Sequence, residues 1–114
     1  MKVIVNADDF AGTVSCSDAI YYAFQCGLIT DTTMMANGVA FNRAIEYITS
    51  DNDFKKRIGI HINLTSGTPL TAAIGKCPRL VRDNHFTRFL LSKKGKLFPL
   101  RREEIEAIRE EIFA

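Results

Sequence analysis

The pattern of apolar and polar positions in the first half of the chain predicts three strands separated by helices. Residues 2–6 (KVIVN) form a β-branched run, typical of a strand buried on both faces of a parallel sheet. Residues 28–35, rich in threonine and isoleucine, predict a second strand. In residues 58–64 isoleucine and leucine alternate with smaller or polar residues, which predicts a third strand with His61 and Asn63 on one face.

Helical periodicity fills the spaces between these strands. A helix is predicted from about residue 15 or 17 to residue 26, and Gly27 is placed to end it. A second helix is predicted over residues 40–49, after a turn at Asn37 and Gly38. Residues 72–98 show no clear pattern, and no element is assigned to them. A last helix is predicted over residues 102–113, with an apolar stripe formed by Ile105, Ile108 and Ile112.

The order β-α-β-α-β with short connections predicts an α/β fold with a parallel sheet. Barrels and doubly wound sheets are the usual forms of such units, and both need more strands than the three found here. The last helix runs to the end of the sequence with no C-terminal glycine and no following strand. We therefore expect residues 1–114 to form one partial domain of a truncated fold.

Composition and charge exclude several classes of protein. The chain has 114 residues, of which 46% are hydrophobic and 25% charged, and this is an ordinary globular composition. A net charge of +2 is too small to indicate a nucleic-acid partner. No apolar stretch approaches the ~20 residues that span a bilayer, and no leader pattern is visible. Three cysteines without close spacing indicate no disulfide framework, so we expect a cytoplasmic protein.

The candidate chemistry lies at the predicted carboxyl ends of the strands. Asp8 and Asp9 follow the first strand, and His61 lies near the end of the third. In α/β folds this edge of the sheet is the functional rim. Adjacent carboxylates raise each other's pKa, and a divalent cation would offset the cost of holding them together. The alternatives are that the aspartates are turn or capping residues, and that His61 is an ordinary core or edge residue.

Other residues near this rim are weaker candidates. Asn37 ends the second predicted strand and so faces the same rim, although a turn role is its default reading. The loop at residues 65–70 follows His61 directly and would form a wall of the same cleft. His85 follows Asp83 and Asn84 in an unassigned stretch and is expected to be a surface loop residue. One carboxylate and one imidazole are too few for a stable metal site, so a third ligand is missing.

Three motifs in order resemble the YdjC-like carbohydrate deacetylases. They are the run NADDF at residues 6–10, the segment TTMMANG at residues 32–38, and the segment GIHINLTSGTPL at residues 59–70. The resemblance covers residues 1–71 well and fades after Gly75. It implies a seven-stranded or distorted (β/α) barrel that hydrolyses an acetamido group on a sugar with a divalent ion, Mg²⁺ as the first choice and Zn²⁺ as the alternative.

The resemblance also implies roles for individual residues. Asp9 and His61 would bind the metal ion, and Asp8 would be the general base. From their location alone, and not from the resemblance, Asn37 and the loop residues Thr65 and Gly67 are expected to position the acetylated oligosaccharide substrate. A second histidine ligand would come from a later segment of the family's sequence, beyond the last helix.

One local departure from the family pattern concerns the backbone. Ala11 stands where the family usually has glycine, and Gly12 follows one place later. Alanine would be strained there if the position needs a positive φ.

Two rival functions remain open at this point. A metal-dependent phosphoesterase could use the same residue types, but no basic residue lies next to Asp8, Asp9 or His61. A truncated, non-catalytic chain that binds sugar or metal weakly is the other rival. Part of a barrel leaves strand edges uncovered, so self-association into a homo-oligomer or pairing with a complementing fragment is expected. Little or no activity is expected from these 114 residues alone.

Overall fold

The computed structural model describes all 114 residues and divides them into two compact units. The first unit is Met1–Ile62 and the second unit is Asn63–Ala114. No helix in either unit combines the length and the apolar character that crossing a bilayer requires. That residues 1–114 form a single partial domain stays a prediction.

The first unit is a three-stranded parallel sheet with helices between the strands. Its strands lie in the order β1-β2-β3, each parallel to its neighbour. Its elements are β1 (Asn6–Phe10), α1 (Val14–Gln25), β2 (Asp31–Met35), α2 (Phe41–Ser50), the short α3 (Asn52–Lys55) and β3 (Ile58–His61). The predicted β-α-β-α-β order and the parallel sheet are confirmed, whereas the barrel stays a prediction.

The first strand lies further along the chain than the pattern predicts. Residues 2–5 of the β-branched run do not lie in a strand. Strand β1 begins at Asn6, the last residue of the run, and contains both aspartates. The run is also exposed rather than buried on both faces, and Ile4 is 74% accessible. Apolar composition marks a segment that would gain from burial, but the covering layers must come from other parts of a fold.

The first two helices form close to their predicted bounds. Thr13 caps α1, its side-chain oxygen accepting a hydrogen bond from the amide of Cys16 at 3.2 Å. Gly27 follows the helix with a φ of +69°, in the left-handed region that glycine adopts freely. Helix α2 begins and ends one residue later than the predicted range of residues 40–49.

The core of the first unit is an aromatic cluster centred on Phe54, which the sequence pattern did not place in a helix. Phe54 is fully buried in α3, and its ring centroid lies 5.2 Å from that of Phe10, 5.1 Å from Tyr21 and 4.9 Å from Phe24. These contacts, two of them edge-on and the one to Phe24 tilted, join β1, α1 and α3. The cluster therefore holds one face of the sheet and leaves the carboxyl ends of the strands free to carry polar groups.

The second unit is built from short elements. The stretch at residues 72–98, which the pattern left unassigned, contains α4 (Ala72–Gly75), an antiparallel pair of two-residue strands, a turn of 3₁₀-helix at Phe89–Leu91 and α5 (Lys93–Leu97). The paired strands are β4 (Val81–Arg82) and β5 (His85–Phe86). Residues 65–71 contain no helix or strand, as predicted. The final helix, α6 (Arg102–Ile112), is confirmed.

The buried face of α6 differs from the predicted stripe. Ile105 is half exposed and Ile112 is also exposed. The buried positions of the helix are instead Glu104, Ala107 and Glu111. The predicted stripe is therefore wrong except at Ile108, which packs against the core of the second unit.

Burial of the two glutamates is possible because each has several partners. The Glu104 carboxylate forms an ion pair with the guanidinium of Arg79. The Glu111 carboxylate accepts hydrogen bonds from the backbone amides of Leu70 at 2.6 Å and Thr71 at 2.8 Å. Hydrogen-bonded and paired carboxylates can be buried at a tolerable cost, and hydrophobic periodicity cannot anticipate such pairs.

Candidate functional site

Three predicted site residues come together at the carboxyl ends of β1 and β3. The Oδ1 atom of Asp9 lies 3.5 Å from Nε2 of His61, and Oδ1 of Asp8 lies 3.9 Å from Nδ1 of the same ring. The two aspartate side chains are 65% and 62% accessible, while that of His61 is 26% accessible. The structure thus forms an open acidic rim with one imidazole held between two carboxylates.

Asp8 is held in place by two hydrogen-bond donors. Its Oδ1 atom accepts from Nδ2 of Asn6 at 2.8 Å and from the hydroxyl of Thr33 at 2.8 Å. The same hydroxyl lies 3.3 Å from Nδ1 of His61. Asn6 and Thr33 were not among the predicted site residues, although both lie within the family motifs.

The register of the sheet explains why Thr33 reaches the site. Thr33 pairs with Gly59 across β2 and β3, and Met35 pairs with His61. Side chains two residues apart on a strand share a face, so Thr33 and His61 are diagonal neighbours. Alternation within β3 could be recognised from the sequence, but the pairing that brings Thr33 beside His61 could not.

The backbone after Asp8 turns sharply. Asp9 has a φ of +67° and Ala11 a φ of +72°, both in the left-handed region. The amide of Gly12 donates to the carbonyl of Asp9 at 2.9 Å and closes the turn. The strain expected for Ala11 is therefore present, because this position does need a positive φ, and the shift of glycine to position 12 does not remove it.

The Asn37–Gly38 turn packs directly against this loop. The amide of Ala40 donates to the carbonyl of Ala11 at 3.0 Å. A Cβ atom placed on Gly38 would lie 2.1 Å from that carbonyl oxygen, so only glycine fits. Asn37 lies two residues after Met35, the β2 partner of His61, and its contact with a substrate stays a prediction.

Thr65 and Gly67 belong to the second unit. The Oδ1 atom of Asn63 accepts hydrogen bonds from the amides of Thr65 and Ser66, both at 3.2 Å, and so organises the start of the loop. Gly67 has a φ of +75°, and its carbonyl accepts from the amide of Phe86 at 2.9 Å. Their contact with a substrate stays a prediction.

His85 lies apart from the candidate site residues in sequence and is exposed, as predicted. It belongs to the two-residue strand β5, and its Nδ1 atom lies 2.9 Å from the carbonyl oxygen of Asp83. A carbonyl oxygen only accepts hydrogen bonds, so Nδ1 of His85 carries a hydrogen.

A comparison with protein families decides where this arrangement belongs. Residues 2–114 match the model of the family described as YdjC-like protein. The chain belongs to the YdjC-like family.

Curated relatives of this YdjC-like chain are similar over different lengths. A carbohydrate deacetylase of Halalkalibacterium halodurans is 35% identical over 112 residues, which cover 94% of this chain and 44% of that protein. One of Oceanobacillus iheyensis is 36% identical over 92 residues, covering 81% of this chain and 38% of the relative. One of Vibrio parahaemolyticus is 44% identical over 71 residues, covering 62% and 28% respectively.

The YdjC-like chain therefore spans less than half the length of these relatives. Identity is higher in the shorter match than in the two longer ones. No solved structure matches the chain.

The rim of this YdjC-like chain fits a divalent ion in its chemistry but not in its number of ligands. Asp9 and His61 present an oxygen and a nitrogen 3.5 Å apart, a spacing that two ligands of one ion can adopt. No group of three or more histidine, cysteine, aspartate or glutamate side chains is arranged to hold an ion. Catalytic zinc sites usually take three protein ligands. Asp9 and His61 are two ligands of a suitable type, so a third ligand is needed.

The buried cysteine Cys77 offers no alternative nucleophile. Cys77 is buried in the core of the second unit, and this burial raises the pKa of its thiol. A raised pKa disfavours the thiolate, which is the nucleophilic form. Cys77 therefore acts as a small core residue.

Proposed function

We propose that Asp8, Asp9 and His61 form part of the active site of a metal-dependent carbohydrate deacetylase. It would remove the N-acetyl group from an acetylated amino sugar or oligosaccharide. The observation that carries the proposal is the approach of Asp9 Oδ1 to His61 Nε2 at 3.5 Å on an open rim. Membership of the YdjC-like family and the relatives named carbohydrate deacetylase support it.

Asp9 and His61 are the residues that would hold the ion, with Mg²⁺ as the first choice and Zn²⁺ as the alternative. Carboxylate and imidazole together suit such borderline or hard ions. When bound, the ion would supply Lewis acidity toward the amide carbonyl of the substrate. A further ligand is needed beside these two.

Asp8 is suited to the role of general base. Asn6 and Thr33 fix its Oδ1 atom, and its side chain is open to solvent, so a water molecule can approach it. Asp8 would accept a proton from the water that attacks the amide carbon. The carbon–nitrogen bond then breaks as the proton passes from Asp8 to the leaving nitrogen, acetate leaves, and the amine remains on the sugar.

Three residues are proposed to position the sugar, with different support. Asn37 lies in the turn after β2, beside the loop that carries Asp9. Thr65 and Gly67 rest on the family motif that follows His61 in the sequence. Substitution of Asn37 by alanine should raise KM more than it lowers kcat if its role is to bind sugar.

The first test is ion binding by the chain itself. Isothermal titration with Mg²⁺ and with Zn²⁺ should give an affinity that Asp9→Asn or His61→Gln lowers by at least ~10-fold. Asp53→Asn and His85→Gln are matched controls, because both side chains are exposed and the sequence places neither in the site. Equal affinities in all five proteins would contradict the assignment of the ligands.

The second test is release of acetate from N-acetylated chitooligosaccharides in the presence of the ion. The Halalkalibacterium halodurans relative serves as the positive control for the assay. If the chain releases acetate, Asp8→Asn should lower kcat by about 100-fold or more, because this is the usual contribution of a general base. Ion binding together with hydrolysis of phosphate esters but no acetate release would contradict the deacetylase proposal and favour the phosphoesterase.

A further inference from the structure

The hydroxyl of Thr33 lies between two residues of the candidate site. Its oxygen is 2.8 Å from Oδ1 of Asp8 and 3.3 Å from Nδ1 of His61. The direct distance from Asp8 Oδ1 to His61 Nδ1 is 3.9 Å, too long for a hydrogen bond. Thr33 is therefore the connection between the carboxylate and the imidazole.

The direction of these hydrogen bonds follows from the number of hydrogens available. An ionised carboxylate only accepts, and a hydroxyl has one hydrogen to donate. The short contact to Asp8 uses that hydrogen, because otherwise two oxygen lone pairs would face each other at 2.8 Å. The Thr33 oxygen is then an acceptor toward His61, so Nδ1 of the ring must carry a hydrogen.

The state of the opposite nitrogen depends on the charge of the ring, and for the neutral ring it follows from the hydrogen on Nδ1. In a neutral imidazole with a hydrogen on Nδ1, Nε2 is a bare acceptor. It faces the Asp9 carboxylate oxygen at 3.5 Å, which is also an acceptor. Two acceptors facing each other leave a place for a cation. Metal-binding histidines in proteins commonly donate their other ring hydrogen in this way.

We infer that Thr33 is a positioning residue that holds His61 in the Nδ1-protonated form and directs Nε2 toward Asp9. Thr33 acts through His61 and Asp8 and touches no reacting atom. Its effect on an ion rests on the proposed function, whereas the position of the ring hydrogen rests on the hydrogen bonds alone.

The strand pairing favours a small side chain with a hydroxyl at position 33. Thr33 stands opposite Gly59, and a Cβ atom on that glycine would lie 3.4 Å from the Thr33 methyl group. That distance is an ordinary van der Waals contact, so Thr33 is closely packed across the strand pair but not crowded. The restricted χ1 angle of threonine then keeps the hydroxyl pointed at one place.

Nitrogen-15 NMR of the histidine rings in the metal-free chain tests the inference directly. The chain has two histidines, and His85 is an internal reference because its Nδ1 atom donates to the Asp83 carbonyl. At about pH 9, above the ordinary imidazole range near 6.5, the two nitrogens of a neutral ring give distinct shifts. We expect His61 in the wild-type chain to show the Nδ1-protonated pattern of His85.

Substitutions then identify the group responsible. Thr33→Val keeps the shape but removes the hydroxyl, and it should shift His61 toward the Nε2-protonated form, while Thr33→Ser should restore the wild-type pattern. Thr49→Val is the matched control, because the Thr49 hydroxyl donates to backbone carbonyls within α2. The ring shifts of His85 should stay unchanged throughout.

Two results would overturn the inference. One is a wild-type His61 that is protonated mainly on Nε2, a measurement that needs no variant to fold. The other is a folded Thr33→Val chain whose His61 shifts match the wild type. Mg²⁺ and Zn²⁺ titrations separate the two proposals. A ~10-fold loss of ion affinity in Thr33→Val supports both the role of Thr33 and the metal site. A shifted His61 ring hydrogen in Thr33→Val, with no ion binding in any of the proteins, overturns the metal site alone.

Discussion

The two units place their carboxylates in opposite environments. In the first unit Asp8 and Asp9 stand at the ends of strands with most of their side chains accessible. In the second unit Glu104 and Glu111 are buried on α6, and only 3% and 6% of each is accessible. All four are acidic, so their chemistry is set by the surroundings and not by the residue type.

The difference shows how a structural carboxylate can be told from a candidate functional one. The buried glutamates are surrounded by donors from their own unit, and such groups have no capacity left for a ligand. The exposed aspartates face an imidazole and solvent, and bringing like charges together is unfavourable without a cation. The first unit therefore carries the candidate metal ligands and general base, and the second unit uses its buried acids as internal supports.

The largest expected effect is on the aromatic core of the first unit. Phe54→Ala should lower the free energy of unfolding by about 4 kcal/mol, because a fully buried ring with three aromatic neighbours is lost. Amide hydrogen exchange read residue by residue would measure it. Phe113→Ala is the control, since that ring is 80% accessible.

Exchange in the second unit sharpens the comparison. Loss of protection confined to Met1–Ile62 would show that the units unfold separately. Equal loss of protection in both units would mean that they unfold together. The units would then differ in the surroundings of their carboxylates but not in their stability.

The next largest effect is expected at the buried ion pair of the second unit. Glu104→Ala should cost about 3 kcal/mol, because it leaves the Arg79 guanidinium without its partner. Glu103→Ala, one residue earlier and mostly exposed, should change stability by less than about 0.5 kcal/mol. Similar losses in both variants, measured by urea unfolding, would contradict a supporting role for the buried acid.

The same ion pair gives the second unit a defined dependence on pH. The hydrogen bond from Arg79 lowers the pKa of Glu104 below its ordinary value of 4.5. A lowered pKa in the folded state gives stability that is present above 4.5 and lost as the pH falls through the folded value. Glu104→Gln should remove this acid-dependent loss, and unfolding curves between neutral and acid pH would measure it.

A smaller effect is expected where the two loops of the candidate site meet. Gly38→Ala should cost about 2 kcal/mol, because its Cβ atom would overlap the Ala11 carbonyl and push the loops apart. It should also weaken ion binding by moving Asp9. Gly75→Ala is the matched control, since nothing lies within 4 Å of its Cβ position. A Gly38→Ala chain with unchanged stability and ion affinity would show that the packing of these loops is not needed.

Particular residues show how far prediction from the sequence reached. Helix α1 ends just before Gly27 and α2 follows the Asn37–Gly38 turn as expected, because these signals are local. Asp8, Asp9 and His61 were predicted at one rim because parallel strands align their carboxyl ends. Helix α3 was missed because four residues are too few to show helical periodicity.

The errors have a common physical cause. The run at residues 2–6 and the isoleucine stripe of α6 are apolar, but burial depends on what packs against them. Ile4 and Ile105 are exposed, whereas Glu104 is buried because Arg79 approaches from a distant part of the chain. A partner 25 residues away leaves no mark on the local pattern.

By itself the sequence determined the order of the three strands and two longer helices of the first unit, the parallel sheet, the family and the three candidate residues at the rim. Each of these depends on local periodicity, on local turns, or on motifs that can be read in one direction along the chain. The tertiary structure alone decided the register that sets Thr33 beside His61, the left-handed backbone at Ala11, and the burial of acids in α6. These features depend on contacts between residues far apart in sequence, and only the folded chain brings such residues together.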